Sequence, residues 1–120
     1  MSRKSQPTPI EALTMAQGAY TQTQFAERLT NIGYRCEQGR ISGWFTSLRN
    51  GKEFNRYACA PIEALTGGLV RAEWLLPTRE FVRDKRGYII GFADGSKSHW
   101  SPPRRLKPIR GAAPAKGRRA

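Results

Sequence analysis

Residues 21–50 read TQTQFAERLTNIGYRCEQGRISGWFTSLRN, and the fold is decided in this stretch. Thr21, with Gln24 three residues on, has the form of a capping box, in which each side chain satisfies an orphan backbone N–H at a helix start. Phe25, Ala26, Leu29 and Ile32 then recur at helical spacing, and Gly33 suits the left-handed position that closes a helix. A second helix is expected from about 37 to 48. Its Ile41, Trp44, Phe45 and Leu48 fall at i, i+3, i+4 and i+7, a single apolar stripe that Asn50-Gly51 breaks. Two helices joined by a short Gly-containing turn form a helix-turn-helix pattern.

Reading outward, Thr8-Pro9-Ile10-Glu11 is a second capping box with proline at the first helical position. Ile10, Leu13 and Ala16 would face inward, and Gly18 would stop that helix. Downstream, a helix over about 56–66 turns Tyr57, Ala58, Ile62 and Leu65 inward, carries Pro61 and ends at Gly67-Gly68. A short turn over 71–75 puts Trp74 and Leu75 on the core before Pro77. The predicted architecture is mainly α: a flexible N-terminus over 1–7, then five short helices over 8–78 in an orthogonal bundle.

A different pattern follows over 79–100. Gly87 to Phe92 is β-rich, and Asp94-Gly95 reads as a two-residue hairpin turn. Ser96 to Trp100 would return antiparallel, Ile89 facing Trp100 and Ile90 facing His99. A lone hairpin is marginal in water, so it must pack on the helices or pair with another copy. Tyr88, Ile90, Phe92 and Trp100 are the residues expected at a dimer contact. The remainder, residues 101–120, reads SPPRRLKPIRGAAPAKGRRA, with four prolines and no acid. A segment so poor in apolar surface is expected to be a disordered basic tail.

The charge sharpens the functional reading. The 120 residues carry 21 Lys/Arg against 9 Asp/Glu, a net +12. Residues 1–78 hold nine basic and six acidic groups, net +3, and residues 79–120 hold twelve and three, net +9. This balance excludes an acidic chaperone or a calcium-binding module and favours a polyanionic partner. No stretch approaches the ~20 apolar residues of a membrane span. MSRKSQPTPI lacks an apolar signal core, so a cytoplasmic, nucleoid-associated protein is expected, with no membrane partner. Cys36, Cys59 and His99 are too few for a disulfide framework or a four-ligand zinc site. Both cysteines read as reduced and structural, and neither metal nor cofactor is expected. No Ser/His/Asp or Cys/His pair stands at suggestive spacing, and no Gly-rich phosphate loop is present, so the chain does not read as an enzyme. Its carboxylates read mostly as solvated-face residues.

The second helix of the pattern carries the candidate site. Opposite its apolar stripe lie Gly39, Gly43 and Thr46, flanked by Arg40, Ser42 and Ser47, with Glu37 and Gln38 at the N-terminal end. Each mid-helix glycine costs up to about 1 kcal/mol relative to alanine. Close approach to a DNA groove is a reason to tolerate that cost. Such helices present their N-terminal residues to base edges. Gln38 can pair with adenine and Arg40 with guanine. Glu37, Gln38, Arg40, Ser42, Gly43 and Thr46 are the expected base-contacting set. Gln22, Thr23, Arg35, Arg49 and Lys52 are the expected phosphate contacts.

Four blocks also carry a family resemblance. Gln24 to Leu29, Gly33 to Trp44, Ala60 to Gly68 and Arg71 to Pro77, in that order, resemble the Cro-type regulators of phages and prophages. The nearest group is the YdaS-like antitoxin/repressor set of the lambda-repressor-like fold. Gln38, Ile41, Ser42 and Trp44 match that family's recognition-helix block. Ile62, Glu63, Thr66, Gly67 and Gly68 match the helix after it, and Leu75 and Pro77 match the ending. The resemblance covers about residues 8–78. It implies a five-helix helix-turn-helix domain and a homodimeric transcriptional regulator, a repressor, on a two-fold-related double-stranded DNA operator. The other readings are a protein-interaction module, such as a toxin-neutralising antitoxin or a host-factor inhibitor, and a nonspecific nucleic-acid binder driven by the tail.

Overall fold

In the structure, a computed structural model that describes residues 6–106, both capping boxes form. Thr8 accepts from the Glu11 amide while the Glu11 carboxylate accepts from the Thr8 amide, opening α1 (Pro9–Gln17). Thr21 and Gln24 make the same exchange at α2 (Gln22–Asn31). Helix α3 spans Gln38–Arg49, α4 Arg56–Leu65 and α5 Ala72–Leu75. Asn55 caps α4 through the Tyr57 amide, and the buried Pro61 sits inside that helix.

The helices close around Leu13, Phe25, Leu29, Ile41, Ile62 and Leu75, all fully buried. The stripe of α3 faces this core, with Leu48 at its half-buried edge. On α1 the buried face is Ala12, Leu13 and Ala16, and Ile10 is only half-buried in the first turn. Trp74 likewise packs on the core from its rim.

Beyond the helices the pairing departs from expectation. Strand β2 (Ile89–Phe92) pairs antiparallel with an earlier strand, β1 (Phe81–Arg83), which is too short and too charged at its flanks to show a period. Phe81 lies opposite Phe92 and Val82 opposite Gly91, but Arg83 lies opposite Ile89, so Ile90 is the extra residue of a bulge. The Asp94-Gly95 turn does form, one residue longer than a two-residue turn. The Phe92 amide donates to the Ser96 carbonyl (2.9 Å), enclosing Ala93, Asp94 and Gly95, the last with φ +95°. Three-residue hairpin loops use glycine at this position. The added residue shifts the return path by one, so Gly91 bridges Lys97 and the Ser98 amide reaches the Ile90 carbonyl. The expected Ile89–Trp100 and Ile90–His99 pairs do not form.

This hairpin belongs to the same core as the helices. Tyr88, Ile89 and Trp100 join the main cluster, and Phe92 is buried against the rings of Tyr57 and Phe81. Three of the four residues expected at a dimer contact, Tyr88, Phe92 and Trp100, are therefore interior to the chain. Only Ile90 stays at the surface. Docking on its own helices buries the apolar strand face that the two-copy reading assigned to a partner.

The basic tail also begins differently. Residues 107–120 lie outside the described residues, and so does most of the expected flexible N-terminus, residues 1–5. Residues 101–106 are in contact with the domain: Leu106 packs half-buried against the core, and its carbonyl accepts from the Arg86 guanidinium.

One carboxylate departs sharply from the solvated-face reading. Glu63 on α4 is fully buried. It takes the Arg83 guanidinium at both oxygens and the Ala72 amide at 2.9 Å, with the Arg71 guanidinium 3.6 Å away. Arg83 also bonds Glu73 at 2.9 Å and the Gly87 carbonyl at 2.9 Å. One guanidinium thus ties α4, α5 and the turn after β1 together. Ion pairing with the two glutamates raises the Arg83 pKa against the opposing effect of its burial.

Candidate nucleic-acid interface

Helices α2 and α3 pack on one another, joined by residues 32–37. Three devices shape this link. The Thr30 hydroxyl bonds both the carbonyl and the amide of Cys36, each at 3.1 Å, folding the link back on α2. Gly33 adopts φ +95°, a conformation that glycine enters without strain. The Trp100 indole donates to the Ile32 carbonyl at 2.8 Å. The link is therefore held from both sides, which settles where α3 begins.

At that beginning the Gln38 Nε2 donates to the Gln22 Oε1 at 2.7 Å, joining the first residues of the two helices. A glutamine amide has two donors and an acceptor, so Gln38 keeps Oε1 and one N–H for another partner. Glu37 precedes it at the N-cap and makes no side-chain cap bond. The hydroxyl of Thr46 back-bonds to the Ser42 carbonyl at 3.1 Å. Arg40 lies within hydrogen-bonding reach of Tyr34, where burial raises the phenol pKa and the guanidinium opposes that rise.

The outer face of α3 is open. Glu37, Gln38, Arg40, Gly43 and Thr46 are exposed and Ser42 is half-buried. A Cβ built at Gly39 or Gly43 would meet nothing within 4 Å, so packing within the chain does not require glycine at either position. Among the expected phosphate contacts, Gln22, Thr23 and Arg35 stand near the start of α3, while Arg49 and Lys52 stand at and beyond its end. Gln38 and Arg49 are separated by about 16 Å along the axis at 1.5 Å per residue. A shallow cleft between α2 and α3 is lined by Ala26, Glu27, Thr30, Asn31, Cys36 and Glu37.

The cysteines are both buried and free. Burial raises both thiols, most strongly at Cys59, which leaves neither suited to act as a thiolate. Among the described residues no group of three or more His, Cys, Asp or Glu could hold a metal ion. Among them, too, no helix is long and apolar enough to cross a membrane. His99 is exposed and stacks on Tyr57 with ring centroids 4.2 Å apart.

Sequence reasoning missed the Gln22–Gln38 bond and the docking of Trp100 on the α2–α3 link. The first had a usable signal, since both residues open capped helices. The second had none, because nothing in the spacing of residues 32 and 100 couples them. The chain matches no known family model, and no curated protein or solved structure is significantly similar to it.

Proposed function

We propose that this chain is a sequence-specific double-stranded DNA-binding regulator of the helix-turn-helix type, with α3 as the recognition helix. The observation that carries the reading is the outer face of α3. It begins with a glutamine held in place by Gln22, continues through an exposed arginine, and has two glycines for which the fold has no need. A helix that enters the major groove meets base edges with its N-terminal residues and needs small residues where backbone and groove approach closely. Basic and amide side chains at both ends of α3 suit the phosphates on the two sides of a groove about 12 Å wide. The net charge of +12 supplies the long-range attraction. The resemblance of the four blocks to Cro-type, YdaS-like regulators points to the same assignment, together with a repressor role, a phage or prophage origin and a dimer on an inverted repeat. With Tyr88, Phe92 and Trp100 interior, the exposed Ile90 and Val82 are the apolar strand residues left for a second copy.

Selection of random duplexes by the purified protein at ~150 mM salt, where weak phosphate binding is suppressed, tests this. An enriched inverted repeat is expected. Gln38→Ala and Arg40→Ala should each cost roughly 1–3 kcal/mol of discrimination at one position. Lys52→Ala should weaken all duplexes alike. Absence of any enriched sequence sinks the reading and returns the chain to the protein-interaction class.

A further inference from the structure

The link that places α3 is held from outside the two helices it joins. Ile32 closes α2, and its carbonyl accepts from Trp100 Nε1 at 2.8 Å in a buried hydrogen bond. The Trp100 ring lies against Gly33, where a Cβ would come within 3.4 Å of Nε1. Gly33, with φ +95°, is where the chain turns away from α2, and five residues later Gln38 opens α3. Trp100 does not arrive on a free arm. The residue before it, His99, stacks on Tyr57 of α4, and Tyr57 also meets Phe92 edge-on with ring centroids 5.8 Å apart. Two neighbouring residues thus hold two different elements, His99 the helix α4 and Trp100 the α2–α3 link. The hairpin is fastened to α4 and α5 independently of Trp100, by Arg83 on Glu63 and Glu73 and by Arg56 on Asp94 at 3.0 Å. The indole donor is therefore not what keeps the hairpin docked. What it adds is a fixed spacing between α4 and the link.

We propose that Trp100 is a positioning residue for base reading: it fixes residues 32–37 against α4, and so fixes the pose in which the first turn of α3 presents Gln38 and Arg40. The inference rests on the DNA-binding reading above and deepens it, because it puts a determinant of specificity in the hairpin segment, on a side chain that touches no base. Groups that read a partner must be held within about 0.5 Å of their working positions by the residues behind them. Phosphate contacts are less demanding and carry no base information. A loosened link therefore loses discrimination between sequences before it loses attraction to duplex DNA.

The test uses the full-length chain, the duplex enriched by selection, and duplexes substituted at the bases that Gln38→Ala and Arg40→Ala show to be read. Its readout is the ratio of the two affinities, which does not depend on how much of a variant is folded. Trp100→Phe deletes the donor and keeps most of the ring. Its ratio should fall by about fivefold, the factor that one net hydrogen bond of about 1 kcal/mol carries. Gly33→Ala disturbs the same contact from the link side and should lower the ratio too, which keeps the inference testable if Trp100→Phe does not fold. Val70→Ala removes fully buried packing between α4 and α5 and none of the link's hydrogen bonds, so it should lower stability and leave the ratio at the wild-type value. Amide hydrogen exchange of the free protein gives a second readout. In Trp100→Phe the bonded amides of Gly33 and Tyr34 should exchange faster, while those of Tyr88 and Phe92 in the hairpin keep their wild-type rates. A wild-type ratio in both Trp100→Phe and Gly33→Ala, or an equal fall in Val70→Ala, overturns the inference and leaves the DNA-binding reading standing. Exchange that accelerates equally in link and hairpin overturns it as well, since Trp100 would then stabilise the chain as a whole. A wild-type chain that enriches no duplex overturns the DNA-binding reading and the role in base reading with it.

Discussion

Glu63, fully buried on α4, and Arg83, at the end of β1, face each other as a two-point ion pair across twenty residues of chain. The pair decides how the hairpin sits on the helices, because the same guanidinium also reaches Glu73 and the Gly87 carbonyl. Removing one member of a buried pair leaves an uncompensated charge in a medium that solvates it poorly.

Arg83→Met should therefore destabilise the chain by about 3 kcal/mol, the low end for a broken buried pair, because the Arg83 side chain keeps 16% exposure and Arg71 remains near Glu63. The double variant Glu63→Gln with Arg83→Met should recover part of that loss, since glutamine still accepts from the Ala72 amide and no charge is stranded. Urea unfolding of the wild type, of Arg83→Met and Glu63→Gln alone, and of the double variant checks it. Strict additivity of the two single changes would show that the pair is not coupled.

Gly43→Ala should raise stability by up to about 1 kcal/mol, and Gly39→Ala by less at the helix's second position, because each added methyl enters open space. The same variants should weaken binding to the selected duplex by roughly tenfold, about 1.4 kcal/mol. Stability and affinity moving in opposite directions is the signature of a face built for close approach. Affinity that holds or rises in both variants removes α3 from the interface.

Trp100→Phe keeps most of the ring and deletes the donor to the Ile32 carbonyl. A buried acceptor left without its partner costs about 1–3 kcal/mol. Gly33→Ala should also destabilise, through its φ of +95° and the 3.4 Å approach to Trp100 Nε1. Thermal melts of both should fall below the wild type. Midpoints equal to the wild type in both would mean that Trp100 does not hold the α2–α3 link.

Asp94 predicts a local acid response. The Ser96 hydroxyl and amide, and then Arg56, hold its carboxyl down at about 2. The folded value lies below the ordinary value of about 3.9, so its stabilising effect is complete above that pH and is lost as pH falls towards 2. The side chain is 49% exposed, so the expected effect is loosening of the Ala93–Gly95 loop rather than unfolding. The Ser96 amide resonance should titrate with a midpoint well below 3.9. A midpoint near 4 would mean that the loop bonds do not persist in solution.

The sequence alone determined the helical elements and the two capping boxes, because those depend on residues three or four apart. Thr8 with Glu11, Thr21 with Gln24, and Ile41 through Leu48 carry their own geometry. It also determined the character of the outer face of α3, since one period of 3.6 residues sorts core from surface. Tertiary structure alone decided the rest. The strand β1 holds too few residues to show a period, and one extra residue in the Asp94 loop changed the return register. Glu63 became interior only because Arg83 arrives from another element to neutralise it. The most local of these features, the end of α2, is completed from the other end of the described chain, where Trp100 donates to the Ile32 carbonyl and Arg105 to the Asn31 carbonyl. A helix end shows which carbonyls lack donors, but only the fold brings the side chains that satisfy them.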